Sequence, residues 1–241
     1  MKIIIAQDYQ ELSERASQIV IGLLANKPDA TLGLATGSTP VGLYQKLIEK
    51  YKKQVISFEK VKTFNLDEYC ELAQEHPQSY YSYMHHQLFN HIDITEENIN
   101  IPRGIGDELT LLCREYNEKL KAATIDLQVL GIGNNGHIGF NEPGTSFDQE
   151  TFIVELTPET REANKRFFNS IDEVPRYAIT MGIKNIIAAN KILLLASGIA
   201  KAPAIKELIY GKINEKTPAS ILKKHPDVTV VLDREAASMI K

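Results

Sequence analysis

Apolar and polar positions follow two different periodicities along the chain. Short apolar runs, several of them rich in β-branched residues, predict strands, and longer stretches with apolar residues three and four positions apart predict helices. The run Ile125–Gly131 is typical of a strand buried on both faces. The predicted strands are Lys2–Ala6, Thr31–Ala35, Val61–Leu66, Ile125–Gly131, Lys191–Ala196 and Val228–Leu232. The predicted helices are Tyr9–Asn26, Val41–Tyr51, Gln78–Asn90, Asp107–Ala122, capped by Asp107, and Ala202–Tyr210, ended by Gly211.

Strands that alternate with helices predict an α/β fold in which helices cover both faces of a parallel sheet. A chain of 241 residues is compatible with a single domain, so we expect one catalytic domain over residues 1–241. In open sheets of this kind, ligands bind at the carboxyl ends of the strands. Residues 141–175 form the least regular stretch and are a candidate lid, with a surface excursion of no function as the alternative.

The composition narrows the range of partners. The net charge of −4 disfavours a protein that grips nucleic acid through its phosphates. Cys70 and Cys113 are far apart and form no CxxC pair, so a disulfide framework is not expected and the cytoplasm is the default compartment. No apolar run approaches the roughly 20 residues of a membrane helix, and the first apolar run is too short for a signal peptide. We therefore expect no nucleic acid and no membrane, whereas a local basic pocket for a small-molecule phosphate remains compatible with the composition.

The segment ATGSTP at positions 35–40 follows a predicted strand and opens a predicted helix. Gly37 allows a close turn, Thr39 can cap the helix, and Pro40 suits its first turn. Free N–H groups at a helix start favour an anion. The hydroxyl groups of Thr36, Ser38 and Thr39 add to this preference for an anion. The loop alone is equally compatible with a plain capped turn, and it lacks the GxxxxGK[ST] pattern of a Walker loop.

Two adjacent carboxylates, Asp67 and Glu68, follow the predicted strand Val61–Leu66. Asp67 is a candidate general base, and Glu68 is either its neighbour in the chemistry or a structural anchor. An Asp-Glu pair after a strand is more often a solvated turn or a helix cap. This fragment by itself therefore leaves both interpretations open.

The segment GIGNNGHIGFNEPG at positions 131–144 contains GxGxxG, which also occurs in dinucleotide-binding loops. That interpretation requires a helix running on from the third glycine, and the NEPG sequence at 141–144 breaks any such helix. His137 and Glu142 can instead act as a proton-transfer pair in which the carboxylate orients the imidazole. The alternative is a structural histidine that donates to a loop carbonyl.

Taken in order, ATGSTP, FNLDEY and GIGNNGHIGFNEPG resemble the glucosamine-6-phosphate deaminase family, also called glucosamine-6-phosphate isomerases. TREANKRFF, AITMGI and SGIAKA agree, so the resemblance covers nearly the whole chain. It implies conversion of α-D-glucosamine 6-phosphate and water to fructose 6-phosphate and ammonium, a step of amino-sugar catabolism. It also implies a modified doubly wound, Rossmann-like fold with a parallel-rich sheet, and neither a metal nor an organic cofactor.

The resemblance assigns roles to individual residues. His137 would open the sugar ring with Glu142 and Asn135 as its partners. Asp67 would then carry a proton from C2 to C1 through an enolamine. Thr36 is a further binding candidate in its loop. The implied phosphate ligands are Gly37, Ser38, Thr39, Arg166 and Lys201.

Two features depart from the family pattern. Asn135 stands where some members carry aspartate, so we expect activity to survive with a different pH profile. Phe152 and Val154 stand where allosteric members carry arginine and lysine. We therefore predict no activation by N-acetylglucosamine 6-phosphate through that site. Both a monomer and a homo-oligomer remain compatible with the sequence.

Two rival functions remain to be compared. A 6-phosphogluconolactonase shares the fold and a GHxxxxxP-like loop, but that family typically lacks FNE after the histidine. A sugar-phosphate-sensing module usually carries a helix-turn-helix segment, which we do not find in this sequence.

Cys70 is better interpreted as a buried thiol than as a nucleophile. No HExxH pattern supports a metal site at the remaining histidines, His76, His85, His86 and His91.

Overall fold

The computed structural model describes residues 1–165 and 168–241, and that part of the chain forms ten strands and seven α-helices. The strands are β1 (Lys2–Ala6), β2 (Thr31–Leu34), β3 (Lys62–Asn65), β4 (Asp67–Tyr69), β5 (Ile99–Asn100), β6 (Leu127–Leu130), β7 (Phe152–Glu155), β8 (Tyr177–Thr180), β9 (Ile192–Ala196) and β10 (Val228–Asp233). The helices are α1 (Tyr9–Asn26), α2 (Val41–Lys52), α3 (Tyr80–Gln87), α4 (Leu109–Ala122), α5 (Pro158–Asn164), α6 (Ile183–Ile187) and α7 (Ala202–Tyr210).

Seven strands form a parallel sheet in the order β1-β10-β9-β6-β2-β3-β5. Along its central strands, alternate side chains point to opposite faces of the sheet and pack into two separate hydrophobic cores. Leu193 and Leu195 of β9 pack with α1 and α2, whereas Ile192 and Leu194 pack with α4, α6 and α7. Each fully buried leucine contributes about 1.5–3 kcal/mol, so both helical layers are strongly held. The predicted α/β fold with helices on both faces is confirmed.

The strand order also locates a switch point. From β2 the sheet grows outward through β3 and β5, and from β6 it grows the other way through β9, β10 and β1. β2 and β6 are neighbours, so the loops that leave their carboxyl ends diverge to opposite faces. Such a divergence opens a crevice at the carboxyl edge of a parallel sheet, where ligands of this class of fold bind.

A second, antiparallel sheet of three strands was not predicted from the sequence. It has the order β4-β8-β7, with Asp67 opposite Thr180. The three residues of β4 are too few to show a periodicity. β7 and α5 also lie inside the stretch 141–175, whose sequence shows no regular periodicity.

Several predicted helix ends were wrong. Asp107 does not cap α4, which begins two residues later, after Glu108, so the Asp107 side chain lies outside the capping position. Thr39 does not cap α2, whose capping position is taken by Pro40. The predicted helix Gln78–Asn90 is shorter in the structure, because Ser79 caps its start by accepting from the N–H of Ser82 and Leu88 ends it by leaving the helical conformation. Within the described chain, no helix has the length and apolar character that crossing a membrane requires.

Candidate active site

The three loops singled out in the sequence meet at the carboxyl edge of the large sheet. Together they line a cleft of about 270 Å³ at the switch point between β2 and β6. Asn135 and Glu142 stand behind His137 rather than in the wall of the cleft. Arg166 lies outside the described residues. The candidate residues that line the cleft are Thr36, Gly37, Ser38, Thr39, Asp67, His137 and Lys201.

One wall of the cleft is suited to an anion. The loop after β2 turns at Gly37, whose φ of +98° is a conformation that glycine adopts without strain. The N–H groups of Ser38 and Thr39 make no hydrogen bond with the described chain. Lys201 lines the same cleft, and burial lowers the pKa of its ammonium. A bound anion would therefore compensate for the cost of burying this charge.

Asp233 holds the turn that leads to Lys201 and was missed from the sequence. Its carboxylate accepts hydrogen bonds from the hydroxyl of Ser197 and from the N–H groups of Gly198 (2.9 Å) and Ala236 (2.8 Å). These bonds hold the turn that begins the short helical segment ending at Lys201. The signal was an acidic residue placed directly after the predicted apolar strand Val228–Leu232.

Asp67 is the buried carboxylate of the cleft. It is 6% exposed and begins β4, at the point where the chain leaves the large sheet. Burial raises its pKa to about 8, with a further contribution from the neighbouring carboxylate of Glu68. A Cβ atom on Gly139 would lie 3.6 Å from Oδ2 of Asp67, so the third loop packs directly over this side chain. A carboxylate with a raised pKa is a stronger base once it is ionised.

Glu68 is an anchor, one of the two interpretations left open by the sequence. Its Oε1 accepts from the N–H groups of Tyr69 (2.8 Å) and Tyr80 (2.9 Å), and its Oε2 accepts from the N–H of Tyr81 (2.8 Å). Burial raises the pKa of Glu68, and these three donors oppose that effect. The carboxylate joins β4 to the first turn of α3, where a negative charge is favoured. Asp67 is thereby held in place by its neighbour.

His137 belongs to a connected polar group. Its Nδ1 is 3.3 Å from Oε1 of Glu142, and its backbone N–H donates to Oδ1 of Asn135 at 3.1 Å. Asn135 in turn donates from Nδ2 to Oε2 of Glu142 at 2.7 Å, and Thr160 of α5 donates to Oε1 at 3.0 Å. Burial favours the neutral acid, but His137, Asn135 and Thr160 outweigh it and lower the pKa of Glu142. Glu142 is therefore an ionised partner for the imidazole.

The amide of Asn135 has a defined part in this group. It donates to Glu142 through its nitrogen while accepting from the chain through its oxygen. An aspartate here would place an oxygen where the donor nitrogen stands, against an ionised carboxylate. Thr160, which was not singled out from the sequence, connects the stretch 141–175 to the same carboxylate.

The dinucleotide interpretation of GxGxxG is excluded by the path of the chain. No helix lies between Gly136 and Thr151, and the loop folds back on itself through a bridge between Ile138 and Asn141. The side chain of Asn141 secures this fold by donating to the carbonyls of Ile138 and Met181. The loop thus presents His137 to the cleft instead of opening a phosphate-binding helix.

The remaining candidates lie away from the cleft chemistry. Cys70 is buried, and burial raises the pKa of its thiol to about 12, as expected for an inert core thiol. Residues 1–165 and 168–241 contain no group of three or more His, Cys, Asp or Glu side chains placed to hold a metal ion.

Gly133 is a further site residue, because the imidazole of His137 lies against its Cα. A Cβ atom at this position would be 2.3–2.5 Å from three ring atoms of His137. We expect Gly133→Ala to displace the ring and to slow turnover by about tenfold, since small misplacements of catalytic groups are costly. Steady-state turnover checks this, with Gly22→Ala as the control because a Cβ on Gly22 in α1 would meet nothing within 4 Å. Equal turnover by the two variants would contradict the assignment.

Comparisons with known proteins bear on this arrangement. A family profile described as "Glucosamine-6-phosphate isomerases/6-phosphogluconolactonase" matches residues 6–231. A glucosamine-6-phosphate deaminase of Thermoanaerobacter pseudethanolicus is 56% identical over 241 residues, which is all of this chain and 95% of that protein. A glucosamine-6-phosphate deaminase of Clostridium botulinum (strain Langeland) is 54% identical over 242 residues, covering 100% of this chain and 99% of the relative.

Among solved structures, a glucosamine-6-phosphate deaminase is more similar to this chain than a 6-phosphogluconolactonase is. A structure described as a monomeric glucosamine-6-phosphate deaminase superposes with a TM-score of 0.97 at 49% identity, covering 99% of this chain and 100% of the other. A 6-phosphogluconolactonase from Trypanosoma cruzi superposes with a TM-score of 0.81 at 21% identity, covering 100% of this chain and 97% of the other. The second likeness shows a common fold alone.

Proposed function

The chain belongs to the glucosamine-6-phosphate isomerase/6-phosphogluconolactonase family, and we infer that it acts in that family as a glucosamine-6-phosphate deaminase. The reaction converts α-D-glucosamine 6-phosphate and water to fructose 6-phosphate and ammonium. The observation that carries this assignment is the cleft in which a buried carboxylate, an imidazole–carboxylate pair and an anion-binding wall face one another. Hydrolysis of a lactone does not need a buried carboxylate that moves hydrogen between two carbons.

The phosphate of the substrate binds in this proposal to the loop after β2. Its N–H groups, the hydroxyls of that loop and the half-buried ammonium of Lys201 supply donors and charge. Arg166 is proposed as a second cation on the strength of the sequence resemblance. Binding the phosphate at the far end of the sugar orients the reacting carbons towards Asp67 and His137.

Ring opening is assigned to His137. The imidazole removes the proton of the anomeric hydroxyl and delivers a proton to the ring oxygen, so that the C1–O5 bond breaks and C1 becomes an aldehyde. Glu142 lies 3.3 Å from Nδ1 of the imidazole, where its carboxylate orients the ring. Asn135 and Thr160 keep Glu142 in place for this purpose.

Hydrogen transfer and loss of nitrogen follow at C2. The carboxylate of Asp67 removes the C2 proton, and the electron pair of that C–H bond forms the C1=C2 double bond of an enolamine as the aldehyde oxygen takes up a proton. Asp67 then returns its proton to C1, and the nitrogen lone pair forms an imine at C2. Water adds to that carbon and ammonia leaves. One carboxylate is sufficient because C1 and C2 are adjacent.

An ammonia-release assay on the purified protein tests the function. We expect ammonium and fructose 6-phosphate to form in equal amounts from glucosamine 6-phosphate. Hydrolysis of 6-phosphogluconolactone without ammonia release would support the lactonase instead. Binding of the sugar phosphate without turnover would support a sensing module.

We expect no allosteric activation through the positions of Phe152 and Val154. Phe152 and Val154 lie in β7, where they place no cationic side chain for a second sugar phosphate. We predict that N-acetylglucosamine 6-phosphate leaves the half-saturating substrate concentration unchanged. A substrate titration with and without this compound measures the effect, and a clear shift to lower concentrations would contradict the prediction.

Assembly and location are part of the proposal. A monomer is supported by the similar solved deaminase that is described as monomeric, and light scattering on the purified protein measures the state directly. The proposed substrate is a charged sugar phosphate, which favours a cytoplasmic enzyme. The proposed mechanism uses neither metal nor organic cofactor.

A further inference from the structure

Tyrosine hydroxyl groups bond the backbone carbonyls of the anion-binding loop. The three tyrosines belong to three different helices, α1, α2 and α3. Tyr9 and Tyr83 reach the loop from helices that are distant in sequence, whereas Tyr44 belongs to α2, which begins directly after the loop. The bonds run from Tyr44 to the carbonyl of Ala35 (2.5 Å), from Tyr83 to that of Gly37 (2.6 Å), and from Tyr9 to those of Ser38 (3.1 Å) and Thr39 (3.0 Å).

These bonds also determine where the N–H groups of the loop point. In a trans peptide the carbonyl of one residue and the N–H of the next point in opposite directions. A carbonyl held by a tyrosine therefore directs the following N–H away from that tyrosine. The three N–H groups set in this way belong to Thr36, Ser38 and Thr39, which line the cleft and make no N–H hydrogen bond with the described chain.

Gly37 makes this bracing necessary. A glycine at a φ of +98° reaches other backbone conformations readily, so the peptide between Gly37 and Ser38 has little intrinsic preference for one orientation. The bond from Tyr83 opposes rotation of that peptide. Tyr9 acts on the next peptide and also accepts from the N–H of Gly42, which ties the loop to the first turn of α2.

We propose that Tyr9, Tyr44 and Tyr83 are positioning residues that hold the loop ready for phosphate before substrate arrives. The proposal rests on the proposed function, since it deepens the account of the same site. The hydroxyls bond the carbonyl side of the loop, so they act through the backbone and not by touching substrate. Preorganised donors bind more tightly because the ordering cost falls on folding instead of on binding.

The test compares phenylalanine variants of the accessible braces. Tyr83→Phe and Tyr9→Phe each remove one hydroxyl, and we expect KM for glucosamine 6-phosphate to rise about 3- to 10-fold in each while kcat stays within about twofold. Tyr81→Phe is the matched control, because Tyr81 lies on the same helix as Tyr83 and its hydroxyl donates to Glu96 instead of to the loop. Tyr44→Phe is the least informative variant, since Tyr44 is fully buried and we expect loss of its hydroxyl to lower the free energy of unfolding as well.

A second readout separates this proposal from the function on which it rests. Titration calorimetry with inorganic phosphate needs no turnover, so it reports on the loop even if the wild-type protein releases no ammonia. We expect the Kd for phosphate to rise in Tyr83→Phe and Tyr9→Phe by the same factor as KM. Phosphate affinity equal to that of Tyr81→Phe, or a fall in kcat at constant KM, would overturn the proposal.

Discussion

Replacing Asp67 by asparagine is expected to slow ammonia release by at least about 100-fold, the usual contribution of a general base. The substitution keeps the shape of the side chain and removes its ability to accept a proton from C2. Among the described residues that line the cleft, Asp67 is the one carboxylate, and the neighbouring Glu68 is occupied by three backbone N–H groups. KM should change far less than kcat.

The control for this variant is another buried aspartate. Asp126 lies just before β6, at the opposite edge of the sheet, where it pairs with Lys27 and accepts from the N–H of Thr31. Asp126→Asn should lower the free energy of unfolding and leave kcat close to that of the wild type. If Asp67→Asn kept more than about a tenth of wild-type turnover, Asp67 could not be the base.

The pH dependence of kcat/KM follows from the pKa of the Asp67 carboxyl. Burial raises the pKa of Asp67 to about 8, so in the free enzyme the carboxyl is protonated below this pH and ionised above it. Because kcat/KM reports on the free enzyme, we expect it to fall as the pH drops through about 8. The second ionisation of a phosphate, near about pH 6, lies well below this limb. A pH profile of kcat/KM measures the midpoint, and a flat profile between about pH 7 and 9 would contradict the expectation.

The raised pKa of Asp67 also makes the free energy of unfolding depend on pH. The folded state holds the Asp67 proton more tightly than the unfolded state, whose pKa is near the ordinary value of 3.8. The stabilisation is complete below about pH 4 and is lost as the pH rises through about 8. Asp67→Asn carries no charge to bury, so its stability relative to the wild type should increase over that range. Denaturant unfolding at several pH values measures this trend.

Replacing His137 by alanine is expected to lower turnover by about 100-fold through loss of ring opening. The side chain is half-buried at the wall of the cleft and is not part of a core, so the variant should fold. Removing the ring also leaves a space beside Gly133 that a free imidazole can enter. Added imidazole should therefore restore part of the turnover of His137→Ala and none of that of Asp67→Asn.

A matched control and a partner variant sharpen this experiment. His86 is exposed on α3, and His86→Ala should turn over like the wild type. Glu142→Gln keeps a side chain beside Nδ1 of His137 but removes its charge, so we expect an intermediate loss and a changed pH profile. If His137→Ala retained turnover within about threefold of the wild type, the imidazole would have no part in the rate-limiting chemistry.

Much of the fold could be predicted because its signals are local. Each central strand of the large sheet is a short apolar run, and each major helix carries its own amphipathic period, so β1, α1 and α7 were placed with their observed bounds. The positions of the three loops followed, since the carboxyl ends of parallel strands meet at one edge. β4 and β5 were missed because two or three residues are too few to show a period, and β7 and β8 were missed because, unlike β2 and β6, they are not continuous apolar runs buried on both faces.

The sequence by itself determined the central strands of the main sheet, its two helical layers and seven of the residues that line the cleft. Only the tertiary structure decided the burial, the pKa values and the hydrogen-bond partners of those residues. The pKa of Asp67, the anchoring of Glu68, the group around His137 and the tyrosine bonds to the loop all depend on contacts between distant segments, such as Tyr9 with Ser38 and Glu142 with Thr160. Burial and hydrogen-bond geometry arise only when such segments pack together, so no local pattern of residues can encode them.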